Sequence, residues 1–128
     1  VAQGHTVVAT VRQSPGPALA GVEYCLVQDL CASTDWGRAL AGIEAVVHCA
    51  ARVHVRRDTA VDPLCAFRTA NVAGTAQLAR QAAEFGIRRF IFLSSVKVNG
   101  EVSPVPLRET DTAFHPLDQS ESPTSRVP

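Results

Sequence analysis

Two adjacent hydroxyls, Ser94 and Ser95, close a short apolar run that begins at Arg89. Serine both donates and accepts hydrogen bonds, so at that point the pair serves either a reacting oxygen or a turn. Asp29 ends a second apolar run, Val22 to Gln28, where its carboxylate is an acceptor for a ligand amine or a cap for the turn that follows. Arg12 follows a third run, Thr6 to Val11, and its guanidinium suits either a phosphate or solvent. Asn71 stands out for its position. It lies in the apolar series Phe67, Asn71, Gly74, Leu78, Ala82, Phe85, whose steps of three and four mark one helix face. A buried amide without partners costs roughly 1–3 kcal/mol, so Asn71 either ties down a neighbouring loop or meets a ligand. Gly74 on the same face allows close packing against a sheet. The four cysteines, Cys25, Cys31, Cys49 and Cys65, form no CxxC pair. They read as small, reduced core residues of a cytosolic protein, and no metal site is expected.

The elements that must position these groups alternate. Thr6 to Val11 is β-branched and nearly continuous in apolar character, which predicts a short buried strand leading into a loop at Arg12-Gln-Ser-Pro-Gly-Pro. Val22 to Gln28 and Ala45 to Cys49 are further strands, the latter running into Ala50-Ala51, and Arg89 to Ser94 is a fourth. Between them, Ser33 to Leu40 predicts a short helix capped by Ser33 or Thr34. Pro63 to Phe85 predicts a helix of about six turns, with Pro63 in its first turn and Gly86 at its stop. Strands alternating with helical or loop crossovers point to an α/β domain with a parallel sheet covered on both faces. From Ser103 onward Pro, Ser, Thr and charge dominate and no packed element is predicted.

The balance of charge narrows the partners. Lys+Arg and Asp+Glu are 12 each in the 128 residues, a formal net charge of zero. Such a chain has no electrostatic reason to bind nucleic acid or an anionic membrane. No signal pattern and no long apolar span occurs, and a cytoplasmic location is expected. The sequence holds no Met and starts in mid-pattern at Val-Ala-Gln-Gly-His, from which a lost N-terminus is expected.

From Gly4 to Gly100 the order of motifs resembles that of the extended short-chain dehydrogenase/reductases, in their NAD-dependent epimerase/dehydratase group. Gly4-His5, the apolar run and Arg12 resemble the family's second strand; Val27-Gln28-Asp29-Leu30 resembles the third. Val46-Val47-His48-Cys49-Ala50-Ala51 resembles the fourth, and Asn71-Val72-Ala73-Gly74-Thr75 matches the helix motif Asn-Val-x-Gly-Thr. Phe92-Leu93-Ser94-Ser95-Val96-Lys97-Val98-Asn99-Gly100 is similar to the Ser-Ser-x-x-Val-Tyr-Gly segment, with Asn99 in place of Tyr. Together with Ala51-Arg52-Val53-His54, this looks like the UDP-glucose 4-epimerase-like enzymes of bacterial surface-polysaccharide synthesis.

The resemblance implies a Rossmann-like doubly wound parallel sheet, with the partial NAD(P)-binding domain at 1–102 and an irregular, frameshifted or truncated tail at 103–128. Ligands in such a fold sit beyond the carboxyl ends of the strands. Carried over by motif, Arg12, Asp29, Leu30, Cys49, Ala50, Ala51, Asn71 and Ser94 fall on the cofactor side, and Ser95 falls on the catalytic Ser/Thr. Asp29 would accept from the adenine amino group, Cys49 to Ala51 would let the cofactor approach closely, and Ser95 would bond the substrate oxygen whose charge changes on hydride transfer. NAD-preferring relatives carry an acid near Val11 and Arg12; the cation here favours NADP over NAD as cofactor. His48 gets only a local packing role. The implied substrate is a nucleotide sugar, oxidised or reduced at C4, and the parent enzyme is expected to form a homodimer.

The match also departs from the family. Its general acid/base is a Tyr with a Lys four residues on, and the only Tyr here is Tyr24, in a strand. Phe114-His115-Pro116-Leu117-Asp118 resembles the approach to that motif, after which the similarity stops. The first strand and its Gly-rich pyrophosphate turn are expected to be missing, leaving neighbouring strands with unpaired edges. A chain built this way is expected to be unstable and inactive alone. The alternatives are a 3β-hydroxysteroid or dihydroflavonol-type reductase, a non-catalytic NAD(P)-binding regulator, and a truncated pseudogene product.

Overall fold

A computed structural model of the chain describes residues 3–14, 16–53, 60–95, 98, 106, 108 and 110. Packing divides the chain into two compact units, Val1–Phe92 and Leu93–Pro128. The expectations for Lys97, Asn99, Gly100, Ser103 and the stretch from Phe114 onward lie outside the described residues.

In the first unit, β1 (Val7–Val11) pairs in parallel with β2 (Val22–Leu26), in a register that sets Val7 against Val22 and Val11 against Leu26. β3 (Ala45–His48) pairs in parallel with β4 (Arg89–Phe92), Ala45 against Arg89 and His48 against Phe92. All pairing among the described residues is thus parallel, as the alternation of elements predicts. Among the described residues it forms two two-stranded ladders, with none joining the pairs. The link from β1 to β2 is a loop whose end is fixed locally. Gly21 turns at φ +76°, Val22 N–H reaches Leu19 C=O at 3.2 Å, and Leu19 N–H donates to the Tyr24 hydroxyl at 3.1 Å. The only tyrosine therefore anchors the loop that feeds its own strand.

The short helix α1 spans Gly37–Leu40, starting later than Ser33 or Thr34. The reason lies in Thr34, which is 1% exposed and spends its hydroxyl on the preceding turn. Its Oγ1 donates to Asp29 C=O at 2.6 Å and accepts from Cys31 N–H at 3.0 Å. The first helical N–H, that of Gly37, goes instead to Asp35 Oδ1 at 2.9 Å.

The long helix begins as predicted at Pro63, capped by Asp62 Oδ1 on Cys65 N–H at 2.9 Å. It is not uniform. α2 (Pro63–Phe67) passes into a π-helical turn, Arg68–Gly74, and then into α3 (Thr75–Glu84). A π turn holds an extra residue and is common at functional sites. Gly86, at φ +71°, ends the helix; its N–H reaches Ala83 C=O at 3.0 Å and Ile87 N–H reaches Ala82 C=O at 2.9 Å. Gly74, Leu78 and Ala82 are buried as the stripe predicts. Phe85 is not; it sits past the last helical residue and is 48% exposed.

The core joins β2, α1 and α3 through Cys25, Trp36, Ala39, Leu40, Leu78 and Ala82, with Val8, Val46 and Phe90 from the other strands packed against it. Gln81 fastens α3 to the segment before α1: its Oε1 accepts from Trp36 N–H at 2.8 Å and its Nε2 donates to Thr34 C=O at 2.9 Å. Among the described residues no helix is long and apolar enough to cross a membrane.

Candidate functional site

The loops that leave the carboxyl ends of β1, β2 and β3 border one cleft, and α2 with the start of the π turn closes its side. Its volume, about 1190 Å³, is somewhat above the range of roughly 300–1,000 Å³ usual for small-molecule sites. Arg12 comes from the first loop, Asp29 and Leu30 from the second, and Cys49, Ala50 and Ala51 from the third, so six of the residues singled out by sequence share the cleft.

At its rim Arg12 Nη1 lies 3.2 Å from Asp29 Oδ1, with side chains 75% and 84% exposed. The two residues expected to meet a cofactor separately therefore meet each other. The parallel register brings the two together: strand ends aligned at Val11 and Leu26 send both following loops out on the same side, Arg12 directly after β1 and Asp29 three residues after β2. A shallower depression adjoins the pair and includes Cys31. Cys31 Sγ lies 3.2 Å from Ser33 Oγ and 3.5 Å from Thr34 Oγ1, and these hydrogen bonds, that of Ser33 foremost, lower its pKa from 9.0 to about 7.

The expectation of core cysteines needs correction. All four are free thiols, but only Cys25 is buried; Cys49 and Cys65 are exposed and Cys31 is intermediate. Cys49 and Cys65 occupy apolar runs, yet both side chains are exposed and border the cleft. No group of three or more His, Cys, Asp or Glu suited to a metal ion occurs among the described residues.

Asn71 lies behind the third loop. Its Oδ1 accepts from Arg52 N–H at 2.7 Å and its Nδ2 donates to Arg52 C=O at 2.9 Å. One amide thus satisfies both polar groups of one residue in the loop that follows β3, which answers the demand its apolar face made. Arg52 also carries its guanidinium over the Phe67 ring, 5.3 Å from the centroid. Gly74, three residues on, meets the second loop: a Cβ there would lie 2.5 Å from Leu30 Cγ and 2.9 Å from both Leu30 C and Cys31 N. The close approach is to this loop, a correction to the expected contact with the sheet. One π turn therefore touches two of the three loops that border the cleft, the second and the third.

His48, 4% exposed, plays the local part expected of it. Its Nε2 lies 2.9 Å from Thr75 Oγ1 and its ring stacks on Phe92 at 5.7 Å and 27°. Burial lowers its pKa below 6.5. Ser94 and Ser95 follow β4 and belong to the second unit, where Ser95 C=O accepts from Val98 N–H at 3.1 Å.

Among the cleft residues that sequence reasoning passed over are Arg52 and Trp36. Arg52 was hidden because its place depends on the Asn71 contact, although an arginine directly after Cys49-Ala50-Ala51 was visible. Trp36, the only tryptophan, lines the cleft from the core side at 5% exposure. Its indole N–H is buried without a partner among the described residues.

Comparison with known proteins accords with this geometry. A profile of the NAD dependent epimerase/dehydratase family matches residues 1–123. The chain belongs to that family, whose members have a Rossmann-like α/β fold. Within it, the chain is similar to a UDP-glucose 4-epimerase of Vibrio cholerae, 53% identical over 75 residues. That stretch is 59% of this chain and 23% of the relative, so the chain spans about a quarter of the curated protein it matches. No solved structure matches the chain significantly.

Proposed function

We propose that the cleft takes the adenosine end of an NAD(P) cofactor, and that the protein carrying this stretch is a sugar-nucleotide epimerase, dehydratase or reductase. The observation that carries the proposal is the convergence of Arg12, Asp29 and the small residues Cys49 to Ala51 on one cleft beyond the carboxyl ends of parallel strands. The donor set fits the group. Asp29 is an acceptor for the amino and hydroxyl donors of adenosine, and Arg12 is a donor for phosphate. Short side chains at positions 49 to 51 leave the backbone open to close approach, and the Trp36 indole, without a partner among the described residues, lies in the same wall. Asn71 acts at one remove, by fixing the Arg52 peptide.

Bound NAD(P) would supply the hydride acceptor or donor for a sugar C4 carbon. Ser95, by its motif, would hydrogen-bond the C4 oxygen, with Ser94 on the cofactor side. Tyr24 is not among the described residues that line the cleft, and its hydroxyl holds the β1–β2 loop by accepting from Leu19 N–H. The similarity to a UDP-glucose 4-epimerase supports a UDP-hexose as substrate. Arg12 supports use of NADP as well as NAD.

Trp36 is the natural reporter. Titration of the intact protein with NADPH or NADH is expected to quench its fluorescence saturably, and addition of a UDP-hexose to the complex with the oxidised cofactor is expected to raise reduced-nicotinamide absorbance. Unchanged Trp36 emission at millimolar cofactor, with no heat of binding by calorimetry, would refute the assignment.

A further inference from the structure

The Arg12–Asp29 pair has a built-in asymmetry. Both backbones are fixed: Arg12 follows directly on β1, Val27 N–H continues the ladder to Val11 C=O at 2.9 Å, and Asp29 C=O accepts from Thr34 Oγ1 at 2.6 Å. Both side chains are largely in solvent. The ion pair can therefore open and close without moving either loop, and an exposed pair of this kind is weak enough to be displaced. The two cofactors ask different things of it. The 2′-hydroxyl of NAD is neutral, and the pair can stay closed beside it. The 2′-phosphate of NADP is an anion that needs the guanidinium, so Arg12 must first leave Asp29.

We propose that Asp29 sets the preference between NADP and NAD by holding Arg12, so that the closed pair favours NAD and the open pair NADP. This rests on the dinucleotide assignment of the cleft. Asp29 acts here as the specificity-determining partner of Arg12, and the chain uses both cofactors because the latch is weak.

The test is a double-substitution cycle on the intact protein, with NADP⁺ and NAD⁺ affinities measured by calorimetry for the wild type, Asp29→Asn, Arg12→Gln and the double variant. Asp29→Asn is expected to shift the affinity ratio toward NADP by about fivefold, the worth of an exposed ion pair at its upper end. In the Arg12→Gln background the same change is expected to move NADP affinity by less than about twofold. An unmoved ratio in Asp29→Asn overturns the proposal. A shift of equal size in the Arg12→Gln background also overturns it, because Asp29 would then act on the phosphate directly. A wild type that binds neither dinucleotide overturns the cleft assignment itself, a result distinct from binding with an unmoved ratio.

Discussion

Gly74→Ala is the substitution whose outcome the packing fixes most closely. The new Cβ would stand 2.9 Å from Leu30 C and from Cys31 N, and 2.5 Å from Leu30 Cγ. The Leu30 side chain can turn aside, but the two backbone atoms cannot. They belong to a turn that Thr34 ties at both ends, through Asp29 C=O and Cys31 N–H. Relief must come from shifting α3 or distorting that turn, an overpacking cost of about 1–3 kcal/mol, with this site toward the upper end. Alanine returns about 1 kcal/mol through helix propensity, since Gly74 has ordinary helical angles, φ −66° and ψ −42°. The expected net loss is about 1–2 kcal/mol. Urea unfolding followed by Trp36 fluorescence measures it, and amide exchange at Leu30 and Cys31 should quicken with it. An unchanged or raised urea midpoint would show that the turn yields freely and that the close approach is not a constraint.

Further outcomes follow from the same geometry. Asn71→Ala removes both bonds to the Arg52 peptide and is expected to cost about 1–3 kcal/mol, and Asn71→Asp, which keeps the bond from Arg52 N–H but sets a carboxylate oxygen against Arg52 C=O, is expected to cost at least as much; exchange of the Arg52 amide reports both, and equal protection in all three proteins would refute the clamp. His48 has a folded pKa below its unfolded value of 6.5, so the unfolded state gains the proton first as pH falls. Its contribution is full above pH 6.5 and is lost as pH drops through the depressed folded pKa; urea midpoints across that range should fall in the wild type and flatten in His48→Gln, and identical pH profiles would count against it. Cys31 should react with iodoacetamide along a curve centred near its pKa of about 7, moved upward in Ser33→Ala because the largest of the lowering hydrogen bonds is gone; a curve unmoved by the substitution would contradict this assignment of cause.

Much of the frame was legible in the linear pattern. Each predicted strand is present, though β2 stops at Leu26, β3 at His48 and β4 at Phe92, short of the apolar runs that suggested them. Val27 beyond β2 and Cys49 to Ala51 beyond β3 continue those runs but line the cleft, and hydrophobicity cannot tell a buried strand residue from a cleft wall. Pro63 and Gly86 bracket the long helix because each has a conformational reason to stand where it does. The π turn inside it left no mark on the apolar repeat, since its extra residue is absorbed within Arg68–Gly74 and the stripe resumes at Leu78.

The candidate site divides in the same way. Local chemistry was enough to single out Asn71, because an amide within an apolar face demands an explanation, while Arg12 and Asp29 were singled out by the motifs they belong to. Their partners were not local: Asp29 for Arg12, seventeen residues away, and the Arg52 peptide for Asn71, nineteen away, meet only through strand register and helix packing. The sequence by itself determined the family, the alternation of elements and the residues that needed partners. Only the tertiary structure decided what those partners are, because parallel pairing sets strand ends side by side and one turn of helix reaches two loops that the chain visits far apart.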